Sequence, residues 1–325
     1  MDEAYRRTVL VTGAGRGIGR AEAMYLAAAG ANVVVNDPGV GTDGSGGDAS
    51  VARSVVDEIV AAGGRAVADT GSVADREDAR RMVATAVDAF GDLHGVVNNA
   101  AVEISRGLEH LTERDVDAVV DVKLKGTLGV SHWAAVHWRE RAAAGFRADR
   151  AIVNTASGSG LANPLPLQSS YAAANAGVAA LTAVHAVELA RLGVRVNCIS
   201  PSMVRTRLTL PVPGMDQLPD GGRFDPRDPG VVAPLVAYLL SPDCPLTGQT
   251  LSVRGGSITV DRGWSHGTGV ERDGPWTVPE LADRLGALDV EDPFDRLAAA
   301  LGGALGTGGR DELMAMVNAR LEAAG

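Results

Sequence analysis

The stretch TGAGRGIG, Thr12 to Gly19, combines residue types and spacing that could hold a phosphate group. It follows the apolar run TVLVT and opens a helical pattern, so it occupies a strand–turn–helix crossing. Gly13 allows a tight turn. Gly17 and Gly19 let backbone approach a pyrophosphate and let the helix pack on the sheet. The free N–H groups and dipole of the helix N-terminus favour an anion there. Asp37 stands 24 residues after Gly13, at the end of the next strand. A carboxylate in that place accepts the ribose hydroxyls of a dinucleotide and repels a 2′-phosphate. No arginine adjoins it in VVNDPG, so the expected cofactor is NAD rather than NADP, although Arg16 could contact a phosphate.

These groups need a scaffold, and the apolar periodicity supplies one. Strand-like runs at Thr8–Thr12, Ala31–Asn36, RAVAD, LHGVVNN, RAIVNTA, VRVNCIS and QTLSVRG alternate with helical patterns. The helices are expected near Ile18–Ala29, Ala49–Ala62, Asp75–Phe90, Glu113–Arg141, Ser169–Leu192 and Val231–Leu240. Short apolar strands between amphipathic helices predict an α/β fold with a doubly wound, Rossmann-type parallel sheet covered on both faces. Two segments break the rhythm. One is the Gly-rich Pro38–Asp48; the other is Leu208–Gly230, rich in Pro, Gly and Asp. The second follows the C-terminal end of a strand, where such sheets bind ligands, and reads as a lid.

Past Trp264 the pattern becomes helical only, dividing the chain into a domain of residues 1–264 and an extension of residues 265–325. Thr277 and Glu280 form a capping box ahead of Leu281, Leu285 and Leu288. Asp292-Pro293 starts a second helix bearing Leu297 and Leu301, and a third carries Leu313, Met316, Val317 and Leu321. The extension offers no chemistry and is expected to pack on the core or on a neighbouring subunit.

Bulk properties narrow the function. A net charge of −10 argues against a nucleic-acid partner. Absence of an apolar leader, and of about 20 uninterrupted apolar residues, leads us to expect a cytoplasmic protein without a membrane span. Cys198 and Cys244 form no CxxC pair and are expected as buried thiols. His132 and His137 are five apart, a poor spacing for one metal; with Trp133 and Trp138 they are expected to pack. His185 is expected at an interface, and no metal is expected. Glu103, after the NNAA turn, could face a substrate.

The motifs together resemble the short-chain dehydrogenase/reductase superfamily over roughly Thr8 to Trp264. TGAGRGIG is similar to its TGxxxGxG, NNAA (Asn98–Ala101) to its NNAG, and PSMVRT to its PGxxxT. Ser157 and Tyr171 stand where the family has its catalytic pair. VVVNDPG, the Gly-rich insert, VKLKGTLG and VVAPLVAYLLSPDC further resemble the (3R)-hydroxyacyl-CoA dehydrogenase domain of peroxisomal multifunctional enzymes and its actinobacterial relatives. The resemblance implies a small-molecule alcohol or ketone as substrate and a homo-oligomer, a tetramer or dimer. It implies a cofactor site formed by Gly13, Arg16, Gly17, Ile18, Gly19, Asp37, Val73, Asn99, Ala100, Tyr171, Asn175 and Thr206. Tyr171 would be the general acid/base, Ser157 would hold the substrate oxygen, and Thr206 would lie near the nicotinamide amide.

One departure bears on the chemistry. In SSYAAANAG the position four after Tyr171 is Asn175, where the family has lysine. A tyrosine of ordinary pKa near 10 needs a nearby cation to act as base near neutrality. The family's catalytic asparagine position is Lys123 here, so the two residue types are exchanged. Either Lys123 restores the missing field, or it serves its helix for other reasons. The alternatives to redox chemistry are dehydration, aldol-type or cyclisation chemistry on the same fold, or a silent NAD-binding subunit. Lesser departures are Ala101, Ser202 and one additional residue between Ser157 and Tyr171, which makes Ser159 a second serine candidate.

Overall fold

The computed structural model describes residues 7–210, 212, 214–219, 222–265, 267–301 and 310–324. Eight strands form one sheet in the order β3-β2-β1-β4-β5-β6-β7-β8. They are β1 (Thr8–Thr12), β2 (Asn32–Asn36), β3 (Arg65–Asp69), β4 (Gly95–Asn98), β5 (Arg150–Thr155), β6 (Val194–Pro201), β7 (Thr250–Arg254) and β8 (Ser257–Asp261). The first seven run parallel, as periodicity predicts. The eighth does not: β8 pairs antiparallel with β7 across a two-residue Gly255-Gly256 turn. The sequence reading has no such strand. Its solvent-exposed edge position removes the continuous apolar run that marks the others, leaving the alternation of Ile258 and Val260 beside the glycine pair as its signal.

Helices cover both faces. Val9, Val11, Val33, Val35, Val97 and Val153 point to one face, under α1 (Gly17–Ala28), α2 (Ser50–Ala61) and α7 (Ala233–Leu240). Leu10, Val34, Val96 and Ile152 point to the other, under α3 (Arg76–Phe90), α5 (Gly126–Ala143) and α6 (Ser169–Leu189). Each buried branched side chain contributes about 1.5–3 kcal/mol through apolar area removed from water. The second face also holds a polar ladder. Asn98 Nδ2 donates to Ser131 Oγ (3.0 Å) and Asn154 Oδ1 (2.9 Å), and Asn154 Nδ2 donates to Thr182 Oγ1 (2.9 Å). It pins β4 and β5 to α5 and α6. His137 is structural: its Nε2 lies 2.7 Å from Asp92 Oδ1, in a knot with Arg150. Both cysteines are buried thiols, as expected.

The helix expected near Glu113–Arg141 is interrupted. A capping box of Thr112 and Asp115 starts α4 (Glu113–Val120); a π-turn, Asp121–Lys125, then leads into α5. Thr127 Oγ1 donates to the Lys123 carbonyl (2.7 Å) within this wider turn. Such bulges re-aim side chains and recur at functional sites. Among the described residues one helical stretch, Ser169–Leu192, is long and apolar enough to cross a membrane. Here it lies along β5 and β6, burying Tyr171, Ala174, Asn175, Val178 and Thr182.

Three helices follow β8: α8 (Val278–Gly286), α9 (Pro293–Leu301) and α10 (Arg310–Ala324). The Thr277–Glu280 capping box is formed, yet α8 buries no residue and Leu285 is exposed. Leu297 of α9 and Leu313 of α10 are buried. A cavity of about 380 Å³ separates these helices from the Gly160–Ser169 loop of the same chain. The Leu301 side chain lies outside the described residues.

Candidate active site

A crevice of about 1050 Å³ opens beyond the carboxyl ends of β1, β2, β4, β5 and β6. The strand order reverses between β1 and β4, the place where doubly wound sheets receive ligands. The glycine turn forms its floor. Gly13 (φ +63°) and Gly17 (φ +53°) are left-handed, a conformation that favours glycine. A Cβ on Gly13 would meet the Ala100 backbone at 2.8 Å. No side chain caps the start of α1, so its N–H groups stay available to an anion. Gly19 packs rather than lines: a Cβ there would strike the Asn99 amide and the Gly13 carbonyl. Asn99 staples the turn, its Nδ2 donating to the carbonyls of Thr12 (3.0 Å) and Gly13 (3.2 Å). Thr12 Oγ1 accepts from the N–H groups of Asn99 and Ala100, both at 3.1 Å.

Asp37 is buried at the edge of this floor. Its Oδ2 accepts from Gly15 N–H (2.9 Å) and its Oδ1 from Gly39 N–H (2.7 Å). Arg16 and Arg207 reach the same edge, donating to the Val40 carbonyl at 3.4 and 3.3 Å. Arg207 was not foreseen; it links the segment after β6 to the Gly-rich insert, which is itself a crevice wall. Ile18, Val73, Ala100 and Thr206 also line the space.

Tyr171, Ser157 and Lys123 line the crevice too. Burial pushes the Tyr171 phenol up to about 12, with the Glu103 carboxylate adding to the rise; the nearby Asn175 and Ser157 side chains oppose it and are outweighed. Ser157 is thus the serine beside the phenol; Ser159 lines the same crevice and donates its backbone N–H to Ser157 Oγ (3.2 Å). Lys123 is fully buried, which lowers its ammonium to about 8; the charges acting on it are those of Cys198 and Glu22. Asn175 is placed otherwise than a ribose ligand requires. It is fully buried, is not part of the crevice wall, and donates Nδ2 to the Tyr171 carbonyl (2.8 Å). An asparagine is too short to pass the phenol as a lysine would.

Described parts of the expected lid, Leu208, Thr209, Val212 and Met215, line the crevice. Arg205 ties that segment down through the carbonyls of Met215 and Gln217, both at 2.7 Å, and through Asp225 (2.6 Å). Gln168, Ala300 and Arg320 carried no sequence signal, whereas Glu103 stands on the crevice as its place after the NNAA turn allowed. Gln168 Nε2 donates to Glu103 Oε1 on the crevice wall (2.5 Å), and Ala300 and Arg320 bring the helical extension to its rim. Among the described residues no group of three His, Cys, Asp or Glu could hold a metal.

Comparison with known proteins agrees with this geometry. Residues 7–215 match the family model described as short chain dehydrogenase. A short chain dehydrogenase structure from Mycobacterium avium is 45% identical, covering 87% of this chain and 96% of that one, with a TM-score of 0.76. The hydroxyacyl-CoA dehydrogenase ChsB1 of Mycobacterium tuberculosis is 40% identical over 261 residues, 78% of this chain and 79% of that protein. Cyclohexanol dehydrogenase of an Acinetobacter species is 37% identical over 255 residues, 77% of this chain and 94% of that protein. With the phenol, serine and glycine turn converging on one crevice, the chain belongs to the short-chain dehydrogenase/reductase family and is an enzyme of that family.

Proposed function

We propose that this enzyme interconverts a secondary alcohol and a ketone with NAD(H), as a homo-oligomer, a tetramer or dimer. The observation that carries the reading is the placement of Tyr171 and Ser157 on one wall of the crevice whose floor is the uncapped start of α1 and whose edge is Asp37. The residues fit a dinucleotide. Gly13 and Gly17 leave no side chain over the helix N-terminus. The Asp37 carboxylate, held by two N–H groups, has lone pairs left for ribose hydroxyls and disfavours a 2′-phosphate.

The nicotinamide ring, when bound, accepts or donates hydride. The protein handles the proton. Ser157 Oγ–H donates to the substrate oxygen and fixes its position. Tyr171 Oη takes the hydroxyl proton during oxidation and returns it during reduction. A phenol near 12 stays protonated at neutrality and is seldom available as a base, so oxidation needs a cation beside it. We assign that part to Lys123, the buried ammonium on the same crevice, in place of the lysine that Asn175 replaces. The substrates in the names of the two relatives, a hydroxyacyl-CoA and cyclohexanol, are the starting classes.

The high phenol also supports a second reading, non-redox chemistry or a silent NAD-binding subunit, because the charge acting on Tyr171 is the Glu103 anion. NADH titration by fluorescence, followed by a scan of secondary alcohols and ketones, separates the two. The first reading expects turnover that Tyr171→Phe abolishes while NADH binding stays. Tight NADH binding with no substrate turned over overturns it.

A further inference from the structure

Glu103 is a curious neighbour for a tyrosine that must ionise. Its charge opposes tyrosinate, and burial raises its own carboxyl above the usual range. A half-buried anion set against the reacting group calls for another use. Its geometry supplies one. Gln168 Nε2 and Ser105 Oγ both donate to Oε1, at 2.5 and 3.2 Å. Among the described residues nothing donates to Oε2, although Glu103 is part of the crevice wall. Gln168 has committed its amide N–H₂ toward the carboxylate, and its Oε1 is buried without a donor. The pair is held by backbone as well. Leu167, immediately before Gln168, adopts φ +70° and its carbonyl accepts from Arg106 N–H (2.9 Å), while Glu103 N–H donates to the Thr42 carbonyl of the Gly-rich insert (3.1 Å). A left-handed leucine is uncommon and persists where surrounding structure over-determines it.

One acceptor without a donor among the described residues, Glu103 Oε2, therefore stands on the wall that carries Tyr171, its partner oxygen held by Gln168. A hydrocarbon substrate would bury it unpaired. We infer that the Glu103 carboxylate, oriented by Gln168, reads a second hydrogen-bond donor on the substrate, a hydroxyl or an ammonium group close to the carbinol carbon. The substrate class is then a vicinal diol or amino alcohol rather than a plain hydrocarbon alcohol. This inference rests on the alcohol–ketone reading for the orientation of the substrate, but not for its test.

The test uses ternary binding, read as the change in NADH fluorescence, with cyclohexanol, cis-cyclohexane-1,2-diol and 2-aminocyclohexanol. Sites built around a substrate donor reject analogues lacking it. The wild-type enzyme is expected to bind a donor-bearing ligand on the order of 10- to 100-fold more tightly than cyclohexanol. Glu103→Leu should erase that difference by weakening the donor-bearing ligands more than cyclohexanol. Tight binding of the amino alcohol alone assigns an ammonium; tight binding of both assigns a hydroxyl. Gln168→Leu, which leaves the carboxylate in place, should give a smaller loss confined to the same ligands, and it carries the test should Glu103→Leu fail to fold. Equal affinity for all three ligands, no binding of any, or an equal loss for all three in the variants overturns the inference. Turnover is scored separately. Glu103-dependent binding of the diol without NAD reduction retains the inference and removes the redox reading. Equal kcat/KM for cyclohexanol and diol does the reverse.

Discussion

Replacing Lys123 by methionine should change the pH dependence of alcohol oxidation in a way that no packing effect imitates. The rise of the Tyr171 phenol from 10.0 to about 12 is worth about 3 kcal/mol and makes tyrosinate roughly a hundredfold scarcer. A cation within about 4–6 Å lowers such a group by about 1–3 pKa units. Lys123 itself titrates near 8, so its field is present below that pH and fades above it. The wild-type kcat/KM for oxidation should rise with pH as the phenol ionises and bend near pH 8 as the ammonium discharges. Lys123→Met should give a single unbent rise, with a lower rate at pH 7. Stability should move oppositely. The folded ammonium is depressed from 10.5 to about 8, so the unfolded chain binds the proton more tightly. The penalty is complete below pH 8 and disappears as pH rises to 10.5. Methionine removes it, so the variant should be more stable below pH 8 by up to about 3 kcal/mol. Initial rates from pH 6 to 10, with urea melts on the same samples, read both effects. Superimposable rate profiles for the two proteins would refute the assignment of Lys123. The paired exchange Lys123→Asn with Asn175→Lys should recover rate without the bend at pH 8.

Glu22 gives a linked expectation. It is fully buried, neither oxygen has a partner among the described residues, and burial raises its carboxyl from 4.5 to about 8. A raised acid favours the fold fully below pH 4.5 and loses that contribution as pH climbs through 8. Glu22→Gln should therefore melt like wild type near pH 5 and above it at pH 9, by calorimetry; a constant difference across that range sinks the argument. Asp37→Ser should loosen NAD and raise the NADP-to-NAD ratio of kcat/KM by on the order of 10-fold or more, since the change removes both a charged acceptor and a repulsion; an unmoved ratio counts against Asp37 as the discriminating group. Gly13→Ala places a Cβ 2.8 Å from the Ala100 backbone at φ +63°, and should cost about 1–3 kcal/mol of stability together with NADH affinity. Wild-type melting and NADH titration curves for that variant would contradict the tight-turn account.

The amino-acid sequence by itself determined the strands, the helices and the glycine cradle, because those features depend on contacts two to four residues apart. TVLVT, NVVVN and RAIVNT are buried throughout around apolar centres, as strands covered on both faces must be. Gly13 and Asp37 were legible for the same reason: a left-handed turn and a strand-end carboxylate are local demands. The edge strand β8 was not, since an exposed position needs no apolar pattern. Nor could the reach of a side chain be read. That Lys123 lines the crevice while Asn175 turns back to its own helix follows from a π-turn and from the packing of α5 against β4 and of α6 against β5 and β6. Glu103 and Gln168 lie 65 positions apart, and Arg207 and Val40 lie 167 apart. Spacing along a chain carries no information about such meetings. Only the order of strands in the sheet, which gathers the loops at one edge, brings them together.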